Sequence, residues 1–131
     1  MYLIDTNIWL ERLLDQEKSD EVGIFLDRIP SNHLFITDFS FHSIGVVMGR
    51  LDRMNMFLNF INDIFIYGAV SIIRLDHEDM QRLAQVMERF KLDFDDAYQY
   101  TAAEKCVLTL VSFDGDFDNT EMGRKMPHEV V

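Results

Sequence analysis

Tyr2-Leu3-Ile4-Asp5-Thr6-Asn7 opens the chain with a short apolar run that ends in an acid and two polar residues. Such a run has the length and composition of a buried strand followed by the start of a helix. Two later segments resemble it: Asp95 and Asp96 open a predicted helix, and a β-type run over 107–113 ends in Asp114-Gly115-Asp116. Because ligands bind outside the carboxyl ends of the strands in parallel α/β sheets, these segments predict an acidic cluster at one edge of a sheet.

The intervening sequence alternates strand and helix patterns. Apolar runs predict further strands over 34–36, 70–75 and 107–111, and residues 128–131 are interpreted as a short edge strand. Helical spacing of apolar residues predicts helices over 6–14, 20–29, 38–51, 54–65, 77–90 and 95–105. This alternation predicts a parallel sheet with helices on both faces. Right-handed crossovers then place at one edge the acids that follow each predicted strand, namely Asp5, Asp38, Asp76 and Asp114.

Composition narrows the class of protein. The chain has 131 residues, the size of one domain, and a net charge of −11. That charge argues against broad, non-specific binding to nucleic acid or membranes, but it permits RNA held through a bound metal. The single cysteine, Cys106, excludes an internal disulfide and is expected to be a buried core thiol because it precedes Val107-Leu108. With no secretory signal and no apolar stretch long enough to span a bilayer, we expect a cytoplasmic protein.

Clustered carboxylates repel one another unless a cation lies among them, so a divalent-metal site with phosphoryl chemistry is the simplest interpretation. Each acid also has an ordinary structural explanation. Asp5 could cap a helix, although Thr6 or Asn7 could take that role and leave Asp5 free. Acids near Asp95 suit a helix amino terminus, and Asp114 suits a polar turn.

The turn that begins at Asp114 is not an EF-hand. The position that needs glycine is Asn119, and the position that needs a bidentate glutamate is Lys125.

At these acids the chain resembles the PIN domains, and among them the VapC-type toxin ribonucleases. The matching blocks are residues 2–7, Asp95-Asp96-Ala97 with Thr101-Ala102-Ala103, and residues 110–117. The resemblance implies a three-layer α/β/α sandwich with a short, mainly parallel sheet, forming a single domain over residues 1–131. It also implies a metal-dependent endoribonuclease that uses Mg²⁺ or Mn²⁺, a cognate antitoxin as partner, and a homodimer.

Carried over by position, the resemblance assigns metal-binding and catalytic roles to Asp5, Asp96 and Asp114, with Asp116 as an additional acid. Thr6 and Asn7 match the polar residues that orient the first acid. The second family acid is a glutamate on the helix after the second strand, and Ser43 stands in its place. Asp38 or His42 could supply the missing ligand, or the site could lack it, although a partly buried structural role is favoured for His42. Asp95 is a further accessory candidate.

Two alternatives remain open. Ser43 supports a catalytically degenerate PIN domain that binds RNA or protein, whereas an aspartyl-phosphatase ranks low because Asn7 occupies the position of its second aspartate. The Met- and Phe-rich segment over 48–65 fits either a partner surface or ordinary core packing. The partner would be an antitoxin helix or a second copy of the chain.

Overall fold

Four short parallel strands form the centre of the fold. The computed structural model describes all residues, Met1–Val131. The strands are β1 (Tyr2–Ile4), β2 (Leu34–Thr37), β3 (Ser71–Ile73) and β4 (Thr109–Val111), in the order β3-β2-β1-β4. Every pairing is parallel: Tyr2 is aligned with Leu34 on one side and with Thr109 on the other. The predicted α/β fold with a parallel sheet is therefore confirmed, and all strand carboxyl ends lie at one edge.

Seven helices connect and cover the strands. They are α1 (Thr6–Leu13), α2 (Ser19–Arg28), α3 (Asp38–Arg50), α4 (Met54–Ile61), α5 (Met80–Phe90), α6 (Phe94–Cys106) and α7 (Pro127–Val130). A π-helical turn, Asn62–Tyr67, continues α4, and 3₁₀ turns occupy Ser31–His33, His77–Asp79 and Gly115–Asn119. None of the helices combines the length and the apolar character that crossing a bilayer requires.

Alternating side chains of the strands form a core on each face of the sheet. Leu3 and Leu110 belong to one buried cluster, with α5 and α6, whereas Ile4 and Val111 belong to the other, with α1 to α4. Successive residues of a strand point to opposite faces, which explains why neighbours in sequence enter different cores. The sheet is thus covered on both sides, and its carboxyl edge is left for a site.

Polar side chains start the helices at that edge. Asp5 caps α1 by accepting a hydrogen bond from the Thr6 backbone N–H, and Thr37 caps α3 through the Ser40 N–H. The cap of α6 is Asp93, so this helix begins one residue earlier than predicted. Each cap satisfies a backbone donor that has no partner within the helix.

Three sequence predictions are wrong. Residues 128–131 do not form an edge strand, because Pro127 opens the short helix α7 and Glu129 accepts a hydrogen bond from the Met126 N–H. Cys106 is exposed rather than buried, because α6 extends to Cys106 and β4 begins only at Thr109. His42 is also exposed, because α3 buries the opposite face through Ser40, Ile44 and Met48.

The segment over 48–65 is divided between core and surface. Met48, Phe57 and Phe60 are buried, whereas Met54, Met56 and Leu58 are exposed. The buried set therefore belongs to the core, whereas the exposed set stays a predicted partner surface.

Candidate functional site

A cavity of about 240 Å³ opens at the carboxyl edge of the sheet. The ends of β1 and β4 and the first turns of α1, α3 and α6 supply its walls, which are mainly polar. The residues that line it are Asp5, Thr6, Asn7, Leu10, Phe39, Ser43, Asp95, Asp96, Gln99 and Asp114. No lysine, arginine or histidine is among them, so the cavity holds several carboxylates and no cationic side chain.

Three carboxylates converge at this edge. Oxygen atoms of Asp96, Asp114 and Asp116 lie within 4.8 Å of one another. Asp96 lies in the first turn of α6, while Asp114 caps the 3₁₀ turn by accepting a hydrogen bond of 2.9 Å from the Asp116 N–H. Burial, and after it the negative charges of Asp114, Asp93 and Asp5, raises the pKa of Asp96 to about 7. The cavity lining supplies no cationic side chain to offset the negative charge of this cluster.

Asp5 lies beside this cluster and is held by four donors. Its Oδ1 accepts from the Thr6 N–H at 2.8 Å and from the Gln99 amide at 2.9 Å. Its Oδ2 accepts from the Ser112 hydroxyl at 2.7 Å and from the Asn7 amide at 3.4 Å. Burial raises the pKa of Asp5, and the hydrogen bonds from Ser112, Gln99 and Thr6 oppose this effect. Asp5 is itself the helix cap, so the prediction that Thr6 or Asn7 could free it from capping is wrong.

Gln99 is the residue of this site that the sequence did not single out. It is 2 % exposed, and its side chain lies between β1, β2 and α3. Its amide nitrogen donates to Asp5 and, at 2.7 Å, to the Ser40 hydroxyl, while its oxygen accepts from the Thr37 hydroxyl at 2.7 Å. All residues from Ala97 to Ala103 are buried, so a glutamine in this run requires internal partners. This burial follows from the assembled fold, so no local sequence signal identifies Gln99.

Arg124 fixes the turn that carries two of the acids. Its guanidinium makes two hydrogen bonds to Asp118, of 3.0 and 3.1 Å, and a third of 3.1 Å to the Ser112 carbonyl. The Ser112 hydroxyl in turn accepts from the Asp114 N–H at 2.9 Å. The 3₁₀ turn is thus held at both ends, which orients Asp114 and Asp116.

The accessory candidates are placed differently. Ser43 and Asp95 line the cavity, but neither belongs to the carboxylate cluster. The Asp38 carboxylate is turned away, because it accepts a hydrogen bond of 2.7 Å from the Tyr98 hydroxyl and another from its neighbour's N–H. His42 packs beside Phe41 on the outer side of α3 and does not line the cavity.

The residues present fit a divalent cation. All the candidate ligand atoms are carboxylate oxygens, which Mg²⁺ and Mn²⁺ prefer. The raised pKa of Asp96 is the second indication. Neighbouring carboxylates disfavour the ionised form of Asp96, and a cation bound among these carboxylates would favour it.

Solved structures with the same fold include a toxin–antitoxin complex and a toxin. FitAcB from Neisseria gonorrhoeae superimposes with a TM-score of 0.81 at 22% identity, over 98% of this chain and 99% of that one. A toxin–antitoxin complex from Klebsiella pneumoniae gives 0.78 at 20% identity, over 98% and 99%. VapC20 from Mycobacterium tuberculosis, described as a sarcin-ricin loop cleaving toxin, gives 0.78 at 13% identity, over 93% and 96%.

Sequence comparison gives a more direct assignment. No curated protein matches the chain. The family model of the PIN domain, however, matches residues 2–122, which include every acid of the cavity, and the chain therefore belongs to the PIN domain family.

Proposed function

We propose that this chain is a divalent-metal-dependent endoribonuclease in which Asp96, Asp114 and Asp116 hold Mg²⁺ or Mn²⁺ and Asp5 lies beside the ion. The observation that carries the proposal is the convergence of the three carboxylates within 4.8 Å in a cavity without a cationic side chain. Nucleases of this family generally use divalent metals. All four acids of the sequence prediction are therefore proposed again as catalytic residues. Asp96, Asp114 and Asp116 are the proposed metal ligands, whereas Asp5 lies beside the ion.

The side chains of the cavity are arranged to hold charge in fixed positions. When bound, a divalent ion would supply a Lewis acid for the phosphate and a water of lowered pKa. Ser112 and Gln99 fix the Asp5 carboxylate, so it needs no rearrangement when substrate arrives. Ser43 contributes no charge where the family has an acid. Metal binding should therefore be weaker than in a site with all four acids.

RNA is the proposed substrate because of the fold and the charges together. The neighbour VapC20 is described as a toxin that cleaves the sarcin-ricin loop, which supports RNA for this chain. A cavity lined by acids repels a phosphodiester unless positive charge lies between them. A metal ion bound in the carboxylate cluster would supply this charge. In the hydrolysis, water would attack the phosphorus atom and the bond between phosphorus and the 3′ oxygen would break, giving 3′-hydroxyl and 5′-phosphate ends.

Metal titration by calorimetry tests the proposal. Wild-type protein should bind Mn²⁺, and Asp96→Asn should weaken the binding about tenfold or more because a ligand is lost. Asp95→Asn is the matched control: it removes the same charge from the same cavity but from outside the cluster. Equal losses in both variants would show that Mn²⁺ responds only to net charge and would contradict the assigned ligands.

An antitoxin is the proposed protein partner. One structural neighbour is a toxin–antitoxin complex, which supports such a partner here. A mainly apolar cleft of about 390 Å³ between α1, α2 and α4 offers a place for it. The buried Trp9 lines this cleft, and its indole N–H has no acceptor within the chain. The exposed Met56 lies at its rim, as expected for the surface part of the Met- and Phe-rich segment.

A homodimer, implied by the resemblance, and a cytoplasmic location, expected from the sequence itself, remain predictions. Sedimentation of the purified protein tests the former, and cell fractionation tests the latter.

A second candidate function is a degenerate PIN domain that binds RNA or protein without cleaving. Ser43 favours it, because this side chain faces the cavity in place of the family glutamate. The four hydrogen bonds on Asp5 also favour it, because they occupy most of the lone pairs that a metal would need. No binding of Mn²⁺ at millimolar concentration, together with intact RNA, would select this candidate.

A further inference from the structure

Three aromatic side chains form a cluster beside the carboxylate cavity. The Phe39 ring lies 5.2 Å from the Tyr98 ring and 6.0 Å from the Phe94 ring, and the Phe94 and Tyr98 rings are 6.2 Å apart. These distances are within the range in which aromatic rings attract one another. The cluster connects the first turn of α3 with the first turn of α6.

The inner ring of the cluster is fixed. Tyr98 is 7 % exposed, and its hydroxyl donates to Asp38 and accepts from the Leu75 N–H at 2.9 Å. Phe94, in contrast, is 42 % exposed although it is an apolar residue. The cluster is therefore a rigid aromatic surface, anchored from within and open to solvent on its outer side.

This surface is continuous with the proposed metal site. Phe39 lines the cavity together with Asp5, Asp96 and Asp114. Phe94 immediately precedes Asp95 and Asp96 in the first turn of α6. A substrate whose phosphate lies at the carboxylates would place a neighbouring group of about nucleotide size over these rings.

The charge of the molecule indicates which group that is. The cavity lining contains no lysine or arginine, and the chain carries a net charge of −11. The cavity lining therefore offers no cationic contact to phosphates, which is the usual source of affinity for nucleic acid. Acidic peptides would be repelled for the same reason. An uncharged base offers a π-face that an exposed phenylalanine can stack against without any cation.

We propose that Phe94, supported by Phe39, stacks an unpaired base of single-stranded RNA next to the phosphate that occupies the carboxylate site. This inference rests on the proposed function, since it assumes that RNA enters the cavity. A base within a duplex is already stacked and cannot reach the ring, so the surface selects unpaired RNA over duplex RNA.

The test is the affinity for a labelled ten-nucleotide single-stranded RNA, measured by fluorescence anisotropy in Mg²⁺. The RNA carries non-hydrolysable phosphonate linkages, so it stays intact while every protein keeps its proposed metal ligands. Phe94→Ala should bind about tenfold more weakly, whereas Phe94→Trp should retain the affinity because it keeps a stacking ring. Tyr67→Ala is the matched control, because Tyr67 is an exposed aromatic residue that precedes β3, toward the opposite edge of the sheet.

An abasic scan of the same RNA identifies the base. One abasic position should lower the affinity for the parent protein, and the same position should have no further effect in Phe94→Ala. Equal affinities of the parent and Phe94→Ala would overturn the inference. So would a change in self-association on sedimentation with unchanged RNA affinity, because the rings would then contact a second copy of the chain.

The proposed nuclease is tested apart from the stacking surface by cleavage with the unmodified protein. Cleavage that is identical in wild type and Phe94→Ala, with equal RNA affinity, would leave the nuclease intact and remove only the stacking surface. Stacking without cleavage would remove the nuclease and leave RNA binding. Absence of any RNA binding would overturn both.

Discussion

Replacing Gln99 by leucine removes the amide that connects Asp5 to the end of β2. The hydrogen bond to the buried Asp5 carboxylate is charge-assisted, and its loss should cost about 2 kcal/mol. The Thr37 hydroxyl loses its acceptor inside a fully buried site, which should cost about 1 kcal/mol more. We therefore expect Gln99→Leu to lower the free energy of unfolding by about 3 kcal/mol, which corresponds to roughly 10 °C for a chain of this size.

The same change should weaken Mn²⁺ binding about tenfold, because partners that orient the acids of a metal site contribute this much to affinity. Urea unfolding without metal measures the first effect, and calorimetry with Mn²⁺ measures the second. Gln85→Leu serves as a control, because Gln85 is an exposed glutamine of α5. If the two variants have the same stability and the same Mn²⁺ affinity, Gln99 does not hold Asp5 and the reasoning fails.

Three further predictions concern charge, the acidic turn and the partner. Because the pKa of Asp96 is raised to about 7, the metal-free protein should lose stability as pH rises from about 4, where the unfolded carboxyl titrates, to about 7. Thermal melts in EDTA should show this slope in wild type, and an equal slope in Asp96→Asn would contradict it. Arg124→Lys should weaken Mn²⁺ binding about tenfold in calorimetry, since lysine cannot reproduce the guanidinium contacts to Asp118 and Ser112; unchanged affinity would refute this role. Met56→Glu should reduce co-purification with the proposed antitoxin about tenfold or more, because Met56 lines the apolar cleft between α1, α2 and α4. Leu58→Glu changes an exposed residue outside this cleft and should not reduce it; similar losses in both variants would exclude the cleft as the docking site.

The strands and the edge of the sheet were predictable because their signals are local. Tyr2–Ile4, Leu34–Thr37 and Thr109–Val111 are short, mainly apolar runs, and an acid follows each of them within three residues. Parallel pairing followed from the alternation of strands with helices. It brings Asp96, in the first turn of α6, close to Asp114, which follows β4. The nearness of these acids is therefore a consequence of topology that the sequence already contains.

The remaining features depend on tertiary contacts that have no local signal. Asp38 follows a strand as Asp5 does, yet the hydroxyl of Tyr98, 60 residues later, takes its carboxylate away from the cavity. The partners of Gln99 come from β1, β2 and α3, so its role is visible only after these elements assemble. The end of the chain was misassigned because the β-branched Val130 and Val131 outweighed the helix start at Pro127.

The central claim is that the carboxylate cavity hydrolyses RNA. Incubation of a single-stranded RNA with the purified protein and Mn²⁺, followed by analysis of the fragment ends, tests it most directly. We expect internal cleavage that leaves 5′-phosphate and 3′-hydroxyl ends and that disappears in Asp114→Asn. Intact RNA with the wild-type protein, or equal cleavage by Asp114→Asn, would contradict it.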